Sequence, residues 1–213
     1  MDRKFQSPRR YLLAFLIGTG IFVLGFLIVN WLSLLEYKRI SQLQEEISYE
    51  IFEDKISYSL FGKDICSDSS YKKISEDLAF QGRIIDDLER KFGKSDDRVL
   101  QRKKFYSLIL LEHFEFVNIR NEECNGKVNT ILFFYSNSLD NIGRSEEVGR
   151  ILGSVYERND NVVIYSFDVD LESDLIEELK KRYFVEEPLE ILINENIKIN
   201  NLKNIGEIER HLN

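Results

Sequence analysis

The chain has little of what redox, metal and phosphate chemistry use. Among 213 residues there are two cysteines, Cys66 and Cys124, and two histidines, His113 and His211. No Cys-x-x-Cys pair exists, and four such residues so widely spaced do not make a zinc ligand set. No metal and no cofactor is therefore expected. Neither histidine lies near a serine in the way a hydrolytic site needs, and both are read as structural or exposed. Gly143, Gly149 and Gly153 lack the Lys-Ser/Thr ending of a phosphate loop. Prolines number only two, and without a Ser/Gly-rich stretch no long flexible linker is expected. There is no internal repeat. Positive charge is scarce beyond the first ten residues. These carry net +3 of a total of −8, leaving −11 for the remainder, which excludes an electrostatic footprint for nucleic acid or anionic lipid. The paired acids Glu146-Glu147, Glu177-Glu178 and Glu186-Glu187 read as solvated helix faces.

Charge is absent altogether from Tyr11 to Leu35. A helix of that length spans about 37 Å, enough for a hydrocarbon core of about 30 Å. Arg3, Lys4, Arg9 and Arg10 precede it against Asp2 alone, while signs are mixed after it at Glu36, Lys38, Arg39, Glu45 and Glu46. The basic excess assigns residues 1–10 to a cytoplasmic tail, 11–35 to a transmembrane helix in the cell membrane, and the rest to the extracytoplasmic side. A cleaved signal peptide is the alternative. Its apolar region is shorter and ends in small residues, whereas this run ends Asn-Trp-Leu-Ser-Leu-Leu, so an uncleaved anchor is expected. Gly18, Gly20 and Gly25 form no Gly-x-x-x-Gly pair.

Residues 36–126 read as helical. Ile40, Leu43, Ile47 and Ile51 fall on one face of a stalk over 36–62. That stripe lasts barely two heptads, so homo-oligomerisation through a coiled coil is only a secondary reading. Gly62 closes the stalk. Over 63–126 the spacing predicts an antiparallel hairpin: one helix to about Phe92 with Ile74, Leu78, Ile85, Leu88 and Phe92 on one face, and another from about Asp96 to Arg120 that carries Leu100, Leu108, Leu111 and Phe114 among other apolar residues. Gly93 is the C-cap of the first and Asp96 opens the second. Two such helices of similar length bring Cys66 and Cys124 to the same end. Outside the cytoplasm this pair reads as a structural disulfide. The alternatives are two buried thiols, or a redox couple, against which stand Glu122 and Glu123 beside Cys124.

Residues 127–213 alternate apolar strands and helices in the order β-α-β-α-β-β-α. The strands are Val128–Ser136, Val162–Phe167, Leu189–Asn194 and Ile197–Ile199, with helices over Ser145–Arg158, Ser173–Tyr183 and Leu202–Leu212. Ser145 is the expected N-cap of the first. Strand–helix–strand crossovers imply parallel pairing, and the final hairpin an antiparallel edge.

This α/β order resembles the thioredoxin fold. YSFDVD, ending at Asp170, is similar to the thioredoxin V-x-V-D segment, and KKRYFVEEPLEILIN to the run that carries its cis-proline. Membrane-tethered prokaryotic thioredoxin-like proteins with a helical segment before the domain look similar over the whole chain. The resemblance implies that Pro188, after Glu187, is cis and faces the active site. Counting back from the helix, it places Ile142, Gly143, Arg144 and Ser145 where the family carries Cys-x-x-Cys. An ungapped count from the strand gives Leu139–Ile142 instead. Neither register holds a cysteine, so the redox site is degenerate. The expected function is non-catalytic: polypeptide binding or scaffolding, in a groove lined by Asn141, Ile142, Arg144, Ser145, Glu187 and Pro188. The alternatives are a thiol-disulfide oxidoreductase or redox accessory protein using Cys66 and Cys124, and a purely architectural spacer.

Overall fold

The computed structural model describes residues 8–61, 66, 68–124 and 128–212. Arg3 and Lys4 of the basic tail and the Gly62 break lie outside them. The chain divides into two compact units, Met1–Leu43 and Gln44–Asn213.

The first unit is helical. Helix α1 (Pro8–Phe61) begins in it. Its uncharged run leaves large apolar side chains exposed, with Phe15 at 72% and Phe22 at 75%. Among the described residues this is one helix long and apolar enough to cross a membrane.

The second unit holds the rest of α1 and all other elements. Ile47 and Ile51 of α1 are buried, and Gln44 exchanges two hydrogen bonds with Arg102: its amide donates to the Arg102 carbonyl at 3.3 Å and accepts from Arg102 Nη1 at 3.0 Å. Helices α2 (Asp68–Phe92) and α3 (Asp97–Glu123) form the expected hairpin. Gly93 adopts φ +93°, a conformation glycine takes without steric penalty. Asp96 then caps α3, its carboxylate accepting from Arg98 N at 2.9 Å. The hydroxyl of Tyr106 in α3 donates to the Leu78 carbonyl of α2 at 2.8 Å. At the far end Cys66 and Cys124 form a disulfide with a Cα–Cα distance of 5.6 Å.

Strands β1 (Asn129–Tyr135), β2 (Val162–Asp168), β3 (Glu190–Ile193) and β4 (Ile197–Ile199) make one mixed sheet in the order β2-β1-β3-β4. Helix α4 (Ile142–Arg158) connects β1 to β2, and this crossover gives the expected parallel pair, Asn129 opposite Val162 to Tyr135 opposite Asp168. The second crossover departs from expectation. Helix α5 (Asp174–Arg182) leads to β3, which pairs antiparallel with β1. The reason is length: α5 travels about 14 Å, and the segment 183–189 then doubles back, so β3 starts beside the end of β1. The β3–β4 edge is antiparallel as expected. The last helix is shorter than its apolar spacing suggests: α6 covers only Gly206–Glu209.

Each face of the sheet has a core. On one, Ile131, Phe133, Ile191 and Ile193 pack with Val148, Leu152 and Val155 of α4 and with Leu202 and Ile208. On the other, Phe114 of α3 meets Tyr165 edge-on at 5.3 Å, and His113 Nδ1 lies 3.0 Å from the Tyr165 hydroxyl. His113 is thus a buried core residue. The hairpin and the sheet share this core and fall in one compact unit.

Candidate functional site

The site follows from where the parallel strands end. β1 and β2 run out side by side at Tyr135 and Asp168, and the loop 136–141 carries the chain from β1 into α4. The carboxyl ends of adjacent parallel strands are where open α/β folds place ligands.

Three charges meet beneath that loop. Lys103 of α3 donates from Nζ to Glu89 of α2 at 2.7 Å and to Asp168 of β2. Their side chains are 4%, 7% and 5% exposed respectively. Burial opposes the lysine charge, but the Tyr135 oxygen and the Asp168 and Glu89 carboxylates outweigh it and hold the ammonium above lysine's ordinary value. Its Nζ lies 5.4 Å from the centroid of the Tyr135 ring. Burial likewise pushes the Tyr135 phenol up, against the opposing effect of Lys103.

The network continues into the loop. Asn137 donates to Asp168 at 2.8 Å and accepts from Lys94 Nζ at 2.7 Å. The Asp170 carboxylate gathers the Asn137 N–H at 2.7 Å, the Ser138 N–H at 3.0 Å and the Ser136 hydroxyl at 2.8 Å. Asp168 itself accepts from Asp170 N at 3.0 Å. So the two acids of YSFDVD have separate duties. One balances a buried lysine, and the other neutralises backbone donors that a loop would otherwise leave unpaired.

The four positions Ile142, Gly143, Arg144 and Ser145 form the first turn of α4. Ser145 is not the N-cap. The helix begins three residues earlier, with Asn141 in the cap position, and Asn141 spends its amide on Ser138 Oγ at 3.0 Å. Ser145 is buried, donating to the Ser136 carbonyl at 2.7 Å and accepting from Ser136 N at 3.2 Å. Its hydroxyl splices the end of β1 to the helix. Arg144 points elsewhere, to Glu147 at 2.5 Å, Asn201 Oδ1 at 3.1 Å and the Leu202 carbonyl.

Among the described residues no peptide bond is cis, so Glu187–Pro188 is trans, contrary to the expectation from the resemblance. The reversal that a cis bond would supply is made by Leu189, at φ +75°, whose N–H donates to the Phe134 carbonyl at 2.6 Å. That bond also puts Pro188, half-buried, and Glu187, exposed, at the end of the sheet from which loop 136–141 leaves. Of the six residues read as a groove, Asn141, Ile142, Ser145, Glu187 and Pro188 share that end, while the Arg144 side chain is committed to residues 201–202.

No protein-family model, curated protein or solved structure matches the chain. The site must be read from its own chemistry. Among the described residues no three of His, Cys, Asp and Glu are grouped to hold a metal ion. The polar groups at the loop are matched donor to acceptor, which fixes a shape.

Sequence reasoning missed the buried triad. The signal was present: Glu89 stands four residues after Ile85 and Lys103 four after Val99, so both charges lie on the buried stripe of their helices. Opposite charges in the apolar stripes of two adjacent antiparallel helices mark a buried pair.

Proposed function

We propose that this protein is a membrane-anchored, outward-facing, thioredoxin-like protein whose redox site is degenerate and which binds or scaffolds extended polypeptide without catalysis. One observation carries the reading. A helix follows β1 in a β2-β1-β3-β4 sheet, and its first turn, where the fold would carry its thiols, is Ile142–Gly143–Arg144–Ser145 with the serine hydroxyl used internally. The mixed directions of the sheet support the resemblance as well. Basic residues before the apolar run and the disulfide after it support an extracytoplasmic second unit. Extended chains bind such folds by strand-like main-chain contacts.

The test is photo-crosslinking in native membranes from benzoylphenylalanine placed at Ile142 or Glu187. Polypeptide adducts are expected from both positions and not from Lys181, on the exposed face of α5. Equal yields from all three would sink the reading.

A second reading, a redox couple at Cys66 and Cys124, is favoured by the exposure of Cys66. A midpoint potential above about −300 mV would support it, and a lower one would mark the bond as structural.

A further inference from the structure

Leu139 is 95% exposed, more than any other large apolar residue described, those of the uncharged run in α1 included. It sits at the tip of a turn in which Asn141 N and Ile142 N both donate to the Ser138 carbonyl, at 3.0 and 2.9 Å. A lone exposed leucine is by itself ordinary, and what sets Leu139 apart is the backbone that carries it. This loop is pinned. Three donors at 136–138 converge on Asp170, and Asn137 ties it to Asp168 and Lys94. A side chain held out on a fixed backbone has little ordering entropy left to lose on binding.

The surroundings define the partner. Asp140, Glu186 and Glu187 are exposed at this end of the sheet, while Glu146 pairs with Lys94 at 3.9 Å. The nearby cations are occupied, Lys94 by Asn137 and Arg144 by Glu147 and the Leu202 carbonyl. An apolar tip among free carboxylates complements an apolar segment bearing lysine or arginine, and it disfavours an anionic bilayer surface.

We propose that Leu139 is the anchor of the polypeptide surface and that its partner is a cationic extended segment with apolar side chains. This rests on the binding reading above and narrows its ligand. Full-length protein in phosphatidylcholine nanodiscs is titrated against labelled peptides with one apolar core, flanked by lysine, serine or glutamate. The lysine-flanked peptide is expected to bind tightest, with affinity falling as salt rises. Leu139→Ser, at a site with no packing to lose, is expected to weaken it about tenfold or more, the scale of one leucine's burial. Binding that Ile142→Asp abolishes but Leu139→Ser leaves intact would overturn the anchor and keep the binding reading. So would equal affinity for lysine- and glutamate-flanked peptides. No binding of any peptide would overturn both. Retention on phosphatidylglycerol nanodiscs, lost in Leu139→Ser without any peptide, would make the tip a lipid contact and overturn the proposal.

Discussion

Replacing Lys103 by methionine should destabilise the second unit far more than any surface ion pair could. The side chain keeps nearly the same length and volume, so packing is preserved and only the charge and its donors are lost. What remains is a pair of buried carboxylates, Glu89 and Asp168, with the cation between them removed. Breaking a buried pair by removing one partner costs about 3–5 kcal/mol. For a unit of this size each kcal/mol lowers Tm by about 2–4 °C, so a fall of roughly 10 °C is expected. Lys181 with Glu178 is the control. It has the same 2.7 Å separation, but its side chains are 69% and 72% exposed, and water and salt screen such a pair until it contributes little. Lys181→Met should leave Tm almost unchanged. Adding Glu89→Leu to Lys103→Met should recover part of the loss, because Asp168 keeps donors from Asn137 and Asp170 N while Glu89 would be left facing it. Thermal unfolding of the full chain in nanodiscs, followed by circular dichroism, measures all three. Equal Tm for Lys103→Met and Lys181→Met would refute the claim that the triad holds the hairpin to the sheet.

Cys66→Ser should lower Tm by a similar amount, since a crosslink spanning 58 residues stabilises by about 4 kcal/mol in the chain-entropy model. It should also make Cys124 reactive to thiol reagents, and an unreactive Cys124 would argue against the bond. Ser145→Ala should cost about 1–3 kcal/mol, because both its carbonyl and its N–H partner at Ser136 lose their bond in a buried setting, and urea midpoints will read it. The Lys103 ammonium and the phenols of buried Tyr165 and half-buried Tyr106 and Tyr135 are all raised in the folded state. Each keeps its proton to higher pH folded than unfolded, so this stability is complete below about pH 10 and is lost as pH rises past it. Urea midpoints flat from neutral pH through about pH 11 would contradict that coupling.

The helical hairpin was legible because its signals are local. Gly93 and Asp96 punctuate two apolar stripes, and the meeting of Cys66 with Cys124 follows from helix length alone. Strand positions were legible for the same reason, as apolar β-branched runs. The direction of β3 was not, since it depends on how far α5 carries the chain and how the 183–189 segment returns. The trans Glu187–Pro188 bond was hidden because Leu189, a residue that rarely takes positive φ, makes the turn. The α4 start was misjudged because serine is a good N-cap by type, while here its hydroxyl serves β1. The Glu89–Lys103 pair left its signal in the two helix stripes, but Asp168 joins it only once β2 is packed against the hairpin.

The most direct test of the central proposal, that the protein acts without redox catalysis, is insulin reduction by the full chain in nanodiscs with dithiothreitol as electron donor. The account predicts turnover equal to that of the Cys66→Ser/Cys124→Ser protein and of empty nanodiscs. Insulin reduction well above those controls and dependent on the two cysteines would contradict it.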